Sequence, residues 1–225
     1  HFQALDAAAP YSQRRIACDL DPAQVIAHAE RLGIVEQIPH PFGNLVRVVD
    51  AQVQQLAYFR NNVLHLFAVP ALIACLVGNN RSLDVQRLTD AVVGIYGVMR
   101  SALFMRWTEA ELLHEIQHTI AVFAERGLLR RAERSGWLLA PETNSQEFPE
   151  LHMIGETLRP MLGRHFLALA LLQQRGSGKL TRAVLEKDCQ SLAQRLALLH
   201  GFGEAETADR SDLANLVSNM LDGEL

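Results

Sequence analysis

Apolar positions recur at helical spacing through most of the chain, interrupted by short alternating stretches bounded by Gly and Pro. Asp21-Pro22 opens the first predicted helix, because Asp is a capping residue and Pro suits a first turn. The pattern runs through VIAHAERL and stops at Gly33, a C-cap signal. Two β-like stretches, residues 34–38 and 45–49, flank the turn sequence PHPFGN, which reads as a hairpin. Asp50 then caps a long helix reaching about Val77, closed by Gly78-Asn79-Asn80. Its second half, VLHLFAVPALIACLV, is the most apolar run in the chain and contains Pro70. Proline blocks the bond to the carbonyl four residues earlier, so a kink is expected there. The run falls short of the roughly 20 apolar residues that span a bilayer. It reads as a buried core helix, with a segment lying against a bilayer surface as the sharper alternative.

The next block follows a similar plan. Residues 82–99 read as helix, weakened by Gly94 and Gly97. Thr108 and Glu111 form a capping box for the helix EAELLHEIQHTIAVFAER, which Gly127 ends. Residues 128–131 and 137–139 are strand-like around Ser135-Gly136, and residues 141–149 read as a polar loop. A third block contains a helix over 151–173, a break at Gly176-Ser177-Gly178 and a helix over 180–200. A loop over 201–207 and a helix over 211–221 ending at Gly223 complete it.

The blocks resemble an internal repeat. HAERLGIVEQ is similar to FAERGLLRRA, and Gly33, Gly127 and Gly223 end comparable helices at nearly equal spacing. The unit reads as a long apolar helix, two further helices and a small two-stranded hairpin, an arrangement resembling a winged helix. The expected fold is therefore mostly α, built of repeated winged-helix-like units. Residues 1–80 hold the end of a first unit plus the long helix, 81–150 a second unit, and 151–225 a third that stops before its hairpin. Both ends look cut, so the chain reads as a piece of a longer protein.

Composition narrows the function classes. The chain has 225 residues with 49% apolar and 20% charged, ordinary for a globular protein. Its net charge of −4 argues against a general nucleic-acid binder, which needs a basic face. Cys18, Cys75 and Cys189 are widely spaced and odd in number, which fits a reducing compartment better than a disulfide framework. No signal-peptide pattern opens the sequence.

Three candidates carry chemistry. His114-Glu115-Ile116-Gln117-His118 matches H-E-x-x-H, which on a helix can place two imidazoles on a zinc with the Glu as base. The helical wheel disfavours that use: Leu112, Ile116, Thr119, Ile120 and Phe123 form the apolar stripe, and His114 and His118 lie opposite with Glu111 and Glu125. His1 and Asp6 match H-x-x-x-x-D, in which an Asp orients a His that deprotonates an acceptor hydroxyl, but the pair is cheap by chance. A polar cluster, Tyr58, Phe59, Arg60, Asn61 and Asn62, followed by His65, sits inside the apolar helix. Buried arginine is costly, so Arg60 is expected to be partly buried and paired with an acidic side chain or backbone carbonyls, or else to face a domain outside this chain. Gly176-Ser177-Gly178-Lys179 is too short for a phosphate loop and reads as a turn.

At the YFRNN cluster a resemblance becomes specific. AYFRNNVLHLFAVPALIACLVGNNRSL is similar to the C-terminal region of bacterial membrane-bound glycerol-3-phosphate 1-O-acyltransferases, and the similarity continues through SALFMRWTEAEL, FAERGLL, LTRAVLEKDCQSLAQRLALLHG and LVSNMLDGEL. The resemblance implies an enzyme that transfers a fatty acyl group from acyl-CoA or acyl carrier protein to the 1-position of glycerol 3-phosphate, giving lysophosphatidate for phospholipid synthesis. It places the catalytic H-x-x-x-x-D motif and phosphate-binding arginines well upstream, so no catalytic residue and no cofactor is assigned here. Residues 58–62 carry over as a family signature without a role. The implied partners are the N-terminal catalytic domain of the same protein and a membrane surface, on the cytoplasmic side of the bacterial inner membrane. An independent winged-helix module for protein or nucleic-acid contacts is the alternative, and a zinc hydrolase ranks third.

Overall fold

The computed structural model describes residues 20–100, 103, 105, 107–132, 136–176 and 179–200, with side chains to residue 196. The pair His1 and Asp6, Cys18, the turn residues Ser135, Ser177 and Gly178, and everything expected beyond residue 200 lie outside the described residues.

Helix α1 spans Pro22–Arg31. Its capping box is complete: Asp21 accepts from the Ala23 amide, and the Gln24 side chain accepts from the Asp21 amide at 3.1 Å. Gly33, at φ 68°, closes it as expected, with the Ile34 amide donating to the Ala29 carbonyl. The hairpin follows as β1 (Val35–Ile38) and β2 (Leu45–Val48), antiparallel, with Val35 opposite Val48 and Ile38 opposite Leu45.

The long helix predicted from Asp50 is in fact two. Asp50–Gln52 forms a 3-10 turn and Asp50 makes no side-chain cap. Helix α2 runs Val53–Val63, a second 3-10 turn spans Leu64–Leu66, and α3 covers Ala68–Asn80. The two limbs are bent by 90° at the break. Pro70 sits in the first turn of α3, so the missing bond falls at Leu66, inside the 3-10 turn. The expected kink is thus present, and it is a full corner.

Helix α3 is the centre of the core. Ala68 through Ala74 and Val77 are all buried, as expected of a core helix. Around it pack α4 (Val85–Met99), α5 (Glu109–Glu125) and α6 (Glu147–Glu156). These contribute Leu88, Val92, Ile116, Phe123, Leu151 and Ile154 to the same cluster. A smaller cluster, centred on Ala168, Leu171, Leu185 and Cys189, joins α7 (Arg159–Arg175) to α8 (Arg182–His200).

Four further expectations are corrected. Residues 82–84 are strand β3, not helix, and Asp84 caps α4 by accepting from the Gln86 and Arg87 amides. The loop expected over 141–149 ends at Gln146, because Pro149 lies in the first turn of α6, where it loses no helical bond. The single helix expected over 151–173 is broken at Thr157-Leu158, where Pro160 restarts α7. The second sheet also has three strands, not two. β4 (Arg130–Arg131) and β5 (Trp137–Leu139) form the expected hairpin, and β3 pairs with β5 on its other edge, Leu83 opposite Leu138. What stands is a mostly helical architecture, eight α-helices with two small antiparallel sheets among the described residues.

Candidate functional site

The signature residues 58–62 lie on α2, just before the corner. No residue of α2 is buried. Tyr58 and Phe59 are exposed and meet edge to face, with ring centroids 5.8 Å apart. Arg60 is half-buried and donates from Nη2 to the side-chain oxygen of Asn61 at 3.1 Å, while Asn61 and Asn62 are exposed. Partial burial of Arg60 was legible from its place beside the apolar run. The cluster forms a polar and aromatic surface leading into the core helix, which fits a contact face better than a reaction centre.

The H-E-x-x-H segment divides as the helical wheel predicts. His114 and His118 are exposed, while Leu112, Ile116, Thr119, Ile120 and Phe123 are buried. Glu115 is buried too, at 6% exposure, and this the sequence reading missed. The signal was present: Glu115 lies three residues after Leu112 and four before Thr119, on the edge of the stripe. Burial pushes its carboxyl above the usual range, an effect partly countered by His118 and His114. Its Oε1 stands 3.8 Å from Nδ1 of His118. Among the described residues, no three His, Cys, Asp or Glu side chains assemble into a group that could hold a metal ion.

A cleft that the sequence did not indicate opens between α3 and α6. It encloses about 190 Å³ and is lined by Cys75, Asn79, Phe148, His152, Glu156 and Arg159. The His152 ring stacks on Phe148, with centroids 6.3 Å apart. Glu156 engages two neighbours: Oε1 lies 3.6 Å from His152 Nε2 and accepts from Arg159 Nη1 at 2.5 Å. The charged groups of the cleft are thus satisfied by one another. Cys75 accepts from Asn79 at 3.4 Å, and burial outweighs the nearby Arg159 to hold its thiol pKa up. A thiol so placed stays protonated at neutral pH and is a poor nucleophile.

Two other polar groups lie inside the helical packing. His165 is buried on α7, its Nδ1 bonded to the Met161 carbonyl at 2.9 Å, and desolvation lowers its pKa. Cys189 is fully buried on α8, with its pKa pushed up to about 11 by burial. Both are suited to structure more than to chemistry.

No single helix among the described residues is long and apolar enough to cross a membrane. Asp50–Leu66 and Ala68–Asn80 reach that length and composition only as a pair bent by 90°.

Comparison with known proteins shows where this surface belongs. The family described as glycerol-3-phosphate acyltransferase C-terminal region matches residues 1–225. The chain is 36% identical over 213 residues to a protein of Xylella fastidiosa (strain M12) named glycerol-3-phosphate acyltransferase, covering 94% of this chain and 25% of that one. Proteins of the same name from Xanthomonas campestris pv. campestris, at 33% identity over 94% of this chain and 24% of theirs, and Pseudomonas savastanoi pv. phaseolicola, at 30% over 96% and 26%, align likewise. The chain therefore spans about a quarter of the length of these curated relatives. No solved structure matches. The comparisons support the resemblance read from the YFRNN stretch over the alternative of an independent interaction module.

Proposed function

The chain belongs to the glycerol-3-phosphate acyltransferase C-terminal family, and from that premise we propose that it is the non-catalytic C-terminal portion of an enzyme that acylates the 1-position of glycerol 3-phosphate. The acyl donor is a thioester, acyl-CoA or acyl carrier protein, and the product is lysophosphatidate for phospholipid synthesis. The observation that carries the reading is collinearity: almost the whole chain aligns with about a quarter of each relative named for the full activity.

The role of this portion is to brace the catalytic part, which lies upstream, and to help hold it on the cytoplasmic face of the inner membrane. The geometry supports that division of labour. Glu115, His165 and Cys189 are buried and Cys75 is half-buried, and the pKa shift of each favours the uncharged form, the state suited to packing. The exposed signature Tyr58, Phe59, Arg60, Asn61 and Asn62 serves as a contact to the rest of the enzyme. The three-unit division at residues 80 and 150 remains part of the proposal. For the middle unit it is supported by strand order: β3 precedes two helices, β4 and β5 follow, and β3 lies beside β5, the arrangement of a winged helix.

The test is direct. The full-length protein, mixed with glycerol 3-phosphate and acyl-CoA, should release free thiol with time, and the 225-residue chain alone should release none above background. Thiol release by the chain alone would return His1 and Asp6 to consideration. A full-length protein without the activity would overturn the assignment.

A further inference from the structure

Residues 20–63 contain no buried side chain; the first is Leu64. This is unexpected for the elements they form. Helix α1 is the most strongly amphipathic of the described helices, yet buries nothing fully. An amphipathic helix is stable chiefly through covering its apolar stripe. The β1–β2 hairpin packs on α1, and an isolated two-stranded hairpin is marginal in water.

Uncovered groups recur through these consecutive elements, on both faces of the hairpin. Leu32 on the α1 side is 57% exposed and Phe42, at the hairpin tip, 95%. Ile38 and Leu45 face each other across the strands just inside that tip, and Val46 and Val48 share the other face of β2. Single exposed apolar residues are ordinary, but a run with no covering element marks an interaction surface.

We propose that α1 and the β1–β2 hairpin form a docking surface for the upstream portion of the same polypeptide, a deepening that rests on the functional reading above. Two observations choose this occupant. The curated relatives are about four times as long as the matched region, and the match is to their C-terminal region, so the remaining length joins through the residues preceding α1. A tethered partner is present at high effective concentration, so a modest apolar surface suffices to hold it. The charge balance argues against an anionic bilayer as the occupant. Residues 20–63 carry three arginines against four carboxylates and no lysine. Arg47 is bound to Glu36 across the strands, and Arg31 lies against His28. Attraction to anionic lipid needs a cluster of basic groups near the surface.

The experiment places one cysteine at Phe42 and, separately, at Val46 in the full-length protein (Phe42→Cys, Val46→Cys). Labelling by a water-soluble maleimide is followed peptide by peptide, so that the native cysteines are counted apart. Rates are compared in the native protein, in vesicles and in detergent, and in the same protein unfolded in urea. If the surface is docked, both sites label at least about tenfold slower in the native protein than unfolded, in vesicles and detergent alike, as expected of covered positions. Labelling at the unfolded rate in an enzyme that still transfers acyl groups overturns the docking surface. Protection in vesicles that vanishes in active, detergent-solubilised protein assigns the surface to lipid and overturns the proposed occupant. Absence of acyl transfer in the unsubstituted full-length protein overturns the underlying functional reading, and is seen separately from the labelling.

Discussion

Gly155 is the position where one methyl group separates two outcomes. Helices α3 and α6 have the most extensive packing of any pair in the molecule, and Gly155 lies where they cross. A Cβ at Gly155 would sit 3.1 Å from the backbone nitrogen of Cys75 and 3.2 Å from its Cα. These are main-chain atoms in the middle of α3, whose flanking residues Ala74 and Val77 are buried. No side chain can rotate to make room, so the helices must separate by a few tenths of an ångström. Overpacking of this kind costs about 1–3 kcal/mol, and the rigidity of the neighbour places it near the upper end. Against it stands the helix preference for Ala over Gly, about 1 kcal/mol. Gly155→Ala is therefore expected to lose about 2 kcal/mol. For a chain of this size, each kcal/mol corresponds to roughly 2–4 °C in Tm. Gly94 supplies the control, because it is exposed on α4 and a Cβ there meets nothing within 4 Å. Gly94→Ala should gain about 0.5–1 kcal/mol from the same propensity term with no opposing clash. Thermal unfolding of the two variants beside the parent decides the matter. If Gly155→Ala stabilises as Gly94→Ala does, α3 and α6 are not packed this closely and the core described here is wrong.

Two further variants probe the H-E-x-x-H helix. Glu115 has a folded-state pKa above the reference 4.5, raised mainly by burial, so its contribution to stability is fully present below about pH 4.5 and is lost as pH rises through the folded value. Glu115→Gln should consequently be more stable than the parent at pH 7–8, by ~1 kcal/mol on the scale of a buried polar group poorly satisfied, and the gain should fade toward pH 4 in urea titrations; a loss at pH 8 contradicts the burial argument. Thr108 accepts from the Glu111 amide while Glu111 Oε2 accepts from the Thr108 amide at 2.8 Å, so Thr108→Ala should cost ~1 kcal/mol and Thr108→Ser much less. Equal Tm values for parent and Thr108→Ala would remove the capping box from the account of this helix.

What was legible in the sequence was local and punctuated. Asp21-Pro22, Gly33, the PHPFGN turn, and Thr108 with Glu111 each announce themselves within a few residues, and each appears in the structure as read. Errors arose where a proline's place relative to a helix was misread or where a partner was distant. Pro149 and Pro160 both occupy first turns, where proline starts a helix as readily as it ends one. Strand β3 is three residues long and exists because Leu83 lies opposite Leu138, a pairing that no local pattern of residues 82–84 foretells. The corner at Leu64–Leu66 was signalled by Pro70, but the sequence stays apolar across it, so periodicity gave no hint that one helix becomes two.

The site tells a different story about what a hydrophobic pattern reports. On α5 the stripe read from the sequence is the stripe the core covers, with Glu115 added at its edge. On α1 the apolar spacing is stronger still, and no residue of the helix is buried. Both patterns obey the same rule, since an apolar face is selected for burial in the folded, complete protein. The difference is therefore one of where the partner resides. α5 finds its partners in α3 and α4, encoded in the same 225 residues. α1 and the hairpin carry the pattern of a buried element without an element among the described residues that buries it, in a chain that spans a quarter of its relatives. On the docking proposal, the disagreement between amphipathic spacing and observed exposure marks the face that the upstream portion covers. The same comparison explains why the signature Tyr58, Phe59, Arg60, Asn61 and Asn62 could be recognised yet not interpreted: its aromatic rings meet each other edge to face and otherwise stay exposed on α2, beside that surface in sequence.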